Sequence, residues 1–152
     1  MWDPSSSEHA TAATNLQIWP LDEYNATLLN EVHHKNFEDP TPQDGPYDLV
    51  VIGSGAGGLV SSKQSGRRGA NKVALISAHL AGGDCLNVGC VPSKALIRAA
   101  KLAAEVRSAL KPDNEYGIVT STPVSVSVDF AKVMQRMRRL RAKISPADGH
   151  KV

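Results

Sequence analysis

Tyr47-Asp48-Leu49-Val50-Val51-Ile52-Gly53-Ser54-Gly55-Ala56-Gly57-Gly58 is the stretch that decides the fold. Its first half is rich in β-branched residues and nearly all apolar, the composition of a strand buried on both faces of a parallel sheet. Its second half turns at once into glycine. Leu59 to Arg68 then has helical composition, broken by Gly66 and Gly69, and Lys72-Val73-Ala74-Leu75-Ile76 reads as a second buried strand. Strand, glycine turn, helix, strand is a βαβ unit, so the class is α/β with a parallel sheet that two strands leave incomplete.

Gly53-Ser54-Gly55-Ala56-Gly57-Gly58 fits G-x-G-x-x-G between a strand and a helix, the context of a Rossmann-like dinucleotide fingerprint. Gly53 would allow the tight turn, Gly55 would let backbone N–H groups reach a pyrophosphate, and Gly58 would let helix lie close on strand. The anion would rest on the positive helix end. A glycine-rich turn with no ligand has the same bare pattern; the strand–turn–helix setting favours the nucleotide. One departure concerns the end of the second strand, where an acid normally binds the ribose hydroxyls. Ser77 stands there, able to hydrogen-bond but carrying no charge.

Outward from this unit, residues 1–20 are rich in Ser, Thr and Ala without a period and are expected to form a disordered tail. Residues 21–45 are expected to hold a short helix and a proline-rich linker. Leu21, Leu28 and Val32 form one stripe of a helix from Leu21 to His34, and the prolines of residues 38–46 exclude helix and central strand. The domain would then occupy residues 46–152. After Gly82-Gly83 a long helix is expected from Val88 to Leu110, ended by Lys111-Pro112-Asp113-Asn114. Val124, Val126 and Val128 alternate with serines as in a half-exposed strand or extended segment. A last helix from Phe130 to Ile144 would put Val133, Met137, Leu140 and Ile144 on one face.

At 152 residues the chain suits one domain, and a net charge of +2 with 21% charged and 41% apolar residues suits an ordinary globular chain. Nothing in that balance points to nucleic acid or a membrane surface. The basic run Arg136 to Lys143 has apolar members at helical spacing and is expected to be a solvated amphipathic face. No apolar run approaches the roughly 20 residues that span a bilayer. The N-terminus has an acid where a signal peptide needs basic residues, and residues 1–20 lack the arginines that an organelle-targeting segment would carry. An intracellular, cytoplasmic location is the expectation.

Cys85 and Cys90 are the two cysteines of the chain, too few for a secreted disulfide framework. They stand in Gly82-Gly83-Asp84-Cys85-Leu86-Asn87-Val88-Gly89-Cys90-Val91-Pro92-Ser93-Lys94. The spacing is compatible with a disulfide at the start of a helix, and a helix N-terminus favours thiolate, lowering a cysteine below its free value of about 8.5. Lys94 adds positive charge one turn beyond Cys90. An inert core pair has the same spacing, whereas no second Cys/His pair completes a zinc site, so no metal is expected.

The glycine turn and the cysteine segment together resemble the class I pyridine nucleotide-disulfide oxidoreductases: dihydrolipoamide dehydrogenase, glutathione reductase and mercuric reductase. Asp22-Glu23-Tyr24-Asn25, Ala95-Leu96-Ile97-Arg98-Ala99-Ala100 and Met137 to Ser145 are similar to the mercuric reductase-like branch, and the similarity runs from about Leu21 to Pro146. The resemblance implies a partial FAD-binding domain with Gly53, Ser54, Gly55, Ala56, Gly57, Gly58, Ser77, Gly83, Asp84 and Lys94 at the cofactor. It implies that Cys85 is the interchange thiol, that Cys90 lies against the flavin as charge-transfer thiol, and that Lys94 sits near the flavin's reactive nitrogen. NAD(P)H would reduce FAD, FAD the disulfide, and the dithiol a disulfide or Hg(II)-type acceptor. Asp84 replaces a threonine of many members, as in the mercuric reductase-like branch.

Such enzymes are homodimers and much longer. The expectation is therefore an N-terminal fragment, weakly folded and inactive alone, without the second nucleotide fingerprint, the dimerisation domain or its His-Glu base. Two other functions fit: a non-catalytic FAD or nucleotide-binding module or truncated partner of a full-length reductase, and a thiol redox protein without flavin.

Overall fold

The computed structural model describes residues 18–33 and 44–149. Nearly all of the expected tail and most of the proline-rich stretch lie outside the described residues.

Helix α1 (Glu23–Val32) begins where the Asp22 carboxylate accepts the Asn25 backbone N–H at 2.9 Å, which satisfies one of the orphan donors of the first turn. It is shorter than the span expected from Leu21 to His34. Leu21 is exposed, and the buried stripe is Asn25, Leu28 and Val32, a polar residue sharing the apolar face.

Strand β1 (Leu49–Ile52), helix α2 (Ala56–Arg67) and strand β2 (Val73–Ile76) make the βαβ unit. The strands pair in parallel with Leu49 opposite Val73 and Ile52 opposite Ile76. Asp48 locks the start of the register, its carboxylate accepting backbone N–H groups from Asn71 at 2.7 Å and Lys72 at 3.0 Å. Those donors, Lys72 first and then Asn71, hold its carboxyl below the usual carboxylate range. The expectation of strands buried on both faces does not hold. Val50 is 51% and Ile52 85% exposed, because α2 covers the face of Leu49 and Val51 while the other face has no comparable helix among the described residues.

The helix expected from Val88 to Leu110 forms within two residues of those bounds, and a further short helix that was not expected precedes it. Helix α3 (Gly83–Asn87) is one short turn and helix α4 (Cys90–Ala109) is long, with the break at Val88-Gly89. Helix α5 (Phe130–Ile144) is capped by Asp129, which accepts from the Lys132 N–H at 3.1 Å, and runs into a 3-10 turn, Ser145–Ala147. Residues 124–128 have no ladder partner, so their alternation marks an extended segment. On α5 the buried residues are Met137, Arg141 and Ala142, while Ile144 is exposed. The inward face is thus rotated from the expected one, and part of the basic run turns into the protein.

The core lies away from the sheet, where Leu28 and Val32 of α1 meet Ala81 and Leu86, with Ile18, Leu80 and Val91 around them. The Val32 carbonyl also accepts the Ala81 N–H at 3.0 Å. Helix α1 is therefore built into the segment that carries Cys85. Among the described residues no helix is long and apolar enough to cross a membrane.

Candidate nucleotide and thiol site

Gly53 ends the strand pairing, its N–H donating to the Ile76 carbonyl at 2.7 Å, with φ at +105° that favours glycine. The chain then enters α2 with Gly55 as a cap that has no side chain, so the first-turn N–H groups of Ala56, Gly57 and Gly58 have no intrahelical acceptor. A Cβ on Gly58 would lie 1.8 Å from the Gly53 carbonyl oxygen and 3.1 Å from Val51 Cγ1, so only glycine lets α2 approach β1 this closely. A Cβ on Gly55 or Gly57 would meet nothing within 4 Å. Open space over free donors at a helix start is the cradle that a pyrophosphate fits.

At the strand ends, buried Ser54 and exposed Ser77 stand 2.6 Å apart, Oγ to Oγ. The Ser77 hydroxyl also reaches the His79 carbonyl at 3.1 Å. A serine has one hydroxyl proton, so when Ser77 donates to His79 it accepts from Ser54. A neutral hydroxyl pair thus stands where the fingerprint has a carboxylate.

The cysteine segment abuts this turn. A Cβ on Gly83, at φ +56°, would lie 2.6 Å from Gly55 Cα, so α3 starts in direct contact with the glycine cradle. Exposed Asp84 follows, and its carbonyl accepts the Val88 and Gly89 N–H groups at 2.9 and 2.5 Å, which closes α3. Cys85 is half-buried inside α3, Cys90 is exposed as the first residue of α4, and both are free thiols. The neighbouring Cys90 thiol, with desolvation behind it, raises Cys85 above the ordinary thiol value. The opposing pull of the Lys94 charge is smaller. The lowered value expected at a helix start does not apply to Cys85, which sits within α3 against a second thiol. Lys94 is exposed, one turn into α4.

Residue type and spacing missed a polar cluster behind the thiols. Arg141 of α5 donates to the Asn87 carbonyl at 2.5 Å and to Asn25 Oδ1 at 2.6 Å, and Arg138 pairs with Asp22 at 2.5 Å. A matching spacing of three, Asp22 and Asn25 on one helix against Arg138 and Arg141 on another, was the available signal. Among the described residues no group of three or more His, Cys, Asp or Glu is placed to hold a metal ion.

Residues 47–148 match the pyridine nucleotide-disulphide oxidoreductase family. The dihydrolipoyl dehydrogenase of Bacillus subtilis is 36% identical over 104 residues, which cover 68% of this chain and 20% of that protein. That of Chlamydia muridarum is 41% identical over 90 residues, 59% of this chain and 18% of that protein. The glutathione reductase of Yarrowia lipolytica is 43% identical over 77 residues, 51% of this chain and 15% of that protein. The chain thus spans about a fifth of the length of the curated relatives it matches. With its βαβ turn and adjoining thiol pair lying within the matched residues, the chain belongs to the pyridine nucleotide-disulphide oxidoreductase family.

Proposed function

We propose that the chain is the FAD- and thiol-bearing part of an NAD(P)H-linked reductase whose Cys85 and Cys90 cycle between dithiol and disulfide. The acceptor is a disulfide or a soft metal ion such as Hg(II). One observation carries the proposal: two free thiols, five positions apart, on a segment that packs directly on the open glycine cradle. Its similarity to a dihydrolipoyl dehydrogenase and a glutathione reductase supports it.

Gly55, Ala56, Gly57 and Gly58 would hold the FAD pyrophosphate with backbone N–H groups, Ser54 and Ser77 would face the ribose, and Gly83, Asp84 and Lys94 would border the thiols. Bound there, FAD supplies two-electron transfer between a nicotinamide and the cysteine pair. The chain's own chemistry is thiol exchange. Cys85 as thiolate attacks one sulfur of an acceptor disulfide and releases the other half as a thiol; Cys90 then displaces the second half. Two protein thiols become one disulfide, and the acceptor gains the two electrons and two protons as two thiols. For Hg(II), the two thiolates are soft ligands of matching type.

Residues 46–152 would form the nucleotide domain, with residues 21–45 as its leading helix and linker. The two thiols and the absence of a wider cysteine framework in the sequence support an intracellular compartment. Exposure of Val50, Ile52, Leu75 and Ile76 favours a second function, in which the chain docks on the remainder of a reductase fold rather than acting alone. Full activity and homodimer formation would then belong to that larger assembly.

The test is a visible absorption titration of the purified chain with FAD. Retention of the flavin band through gel filtration, lost in Gly58→Ala, supports the flavin site. A colourless chain whose cysteines still form a disulfide would leave a thiol protein without flavin, and co-purification with a longer homologue would favour the docking function.

A further inference from the structure

The geometry points to Arg141 as the positioning residue of the Cys85–Cys90 couple: its guanidinium, fastened to α1, fixes the peptide that lies between the two thiols. This rests on the redox reading proposed above.

Arg141 is 8% exposed and bridges three elements. One Nη donates to the Asn87 carbonyl of α3 and the other to Asn25 Oδ1 of α1, at 2.5 and 2.6 Å. Asn25 is fully buried and held in turn by its Nδ2 donating to the Pro20 carbonyl at 2.7 Å. Asn87 is buried too, and its Nδ2 donates to the carbonyls of Ala81 at 2.9 Å and Gly83 at 2.8 Å. One buried chain of polar contacts therefore runs from residue 20 through α1 and α5 to both ends of α3. Asn87 is two residues after Cys85 and three before Cys90.

A purely structural role explains this poorly. Burying a guanidinium against neutral acceptors is unfavourable, and an apolar side chain of similar volume would fill the space with less desolvation. The carboxylate whose charge reaches Arg141, that of Asp22, is engaged by Arg138. Arg141 Nε and Asn87 Oδ1 are buried without a hydrogen-bond partner among the described residues. What the guanidinium does supply is a fixed donor at a carbonyl in the last turn of α3, where a cation also complements the helix end.

Oxidation of the pair removes two electrons and two protons from the thiols and joins Sγ to Sγ, while a small disulfide such as oxidised glutathione becomes two thiols. The equilibrium constant of that exchange depends on how well the dithiol is already held in the geometry of the disulfide. Freeing the Asn87 peptide loosens residues 86–89 in the dithiol and lowers the constant.

The test equilibrates the full chain in glutathione redox buffers and reads the oxidised fraction by thiol alkylation and mass. Arg141→Met is expected to lower the constant about tenfold, which is about 30 mV for a two-electron couple. Arg141→Lys, which keeps one donor, should fall between. Arg138→Met, which cuts only the Asp22 pair, should lower Tm and leave the constant unchanged. An unchanged constant in Arg141→Met, or an equal drop in Arg138→Met, overturns the inference. If Arg141→Met does not fold, Arg141→Lys carries the test: a drop supports and an unchanged constant overturns. A wild-type chain that forms no internal disulfide in any buffer overturns the redox reading, and the inference with it.

Discussion

Replacing Gly58 by alanine tests whether the close seat of α2 on β1 is what builds the cradle. The new Cβ would stand 1.8 Å from the Gly53 carbonyl oxygen, and the atom it meets is backbone, which cannot swing aside as a side chain can. To open that contact beyond 3.0 Å, below which real Cβ contacts essentially never fall, the start of α2 must lift off the strand. Overpacking of this kind destabilises by about 1 to 3 kcal/mol, and alanine's better helix propensity returns at most about 1 kcal/mol. A net loss of about 1 kcal/mol lowers Tm by about 2 to 4 °C in a chain of this size. Gly57→Ala is the matched control, because its Cβ would meet nothing within 4 Å. Thermal unfolding followed by circular dichroism compares the pair. Equal Tm values for the two variants would refute the close-packing reasoning.

Alkylation of Cys85 should rise with pH around a midpoint above the free-thiol value of about 8.5, and Cys90→Ala should bring that midpoint down, since the Cys90 thiol is the largest cause of the raised value. By linkage, a raised thiol stabilises the fold below its unfolded value and loses that contribution as pH rises through the folded one; denaturant midpoints from pH 7 to 10 check the sign. Asp48 works oppositely: its depressed carboxyl stabilises above the unfolded value of about 4 and loses that as pH falls, so Asp48→Asn should flatten the acid limb of stability against pH. Ser77→Glu restores a charged acceptor at the ribose position, and FAD binding followed by fluorescence quenching should tighten about tenfold. Unchanged affinity would place the adenosine elsewhere.

The βαβ unit was legible because each of its parts is dictated locally: an apolar run, a glycine turn that only a helix start explains, and a second apolar run at the right distance. The Gly58 approach follows from the motif alone. What sequence could not show depends on partners distant in the chain. Val50 and Ile52 look like residues of a doubly covered strand, yet their exposure depends on which other elements are at hand. Arg138 and Arg141 look like solvated surface by residue type, and their burial is decided by Asp22 and Asn25, 116 residues earlier in each case. Helix α3 was hidden because its five residues are too few to show a helical period. The Asp84 carbonyl closes it by accepting the Val88 and Gly89 N–H groups, ending α3 before Cys90 begins the next helix. The value of the Cys85 thiol followed its neighbour rather than its helix.

The contact of Gly83 with Gly55 constrains anyone who wishes to redesign this chain. Two glycines meet where the thiol segment touches the glycine cradle, with 2.6 Å between a would-be Cβ and the opposing Cα. Under the proposed function, a library that varies the cradle for a different nucleotide also remodels the wall behind the thiols, and one that varies the thiol segment for a different acceptor deforms the cradle. The two specificities must be selected together, in one round and on one readout.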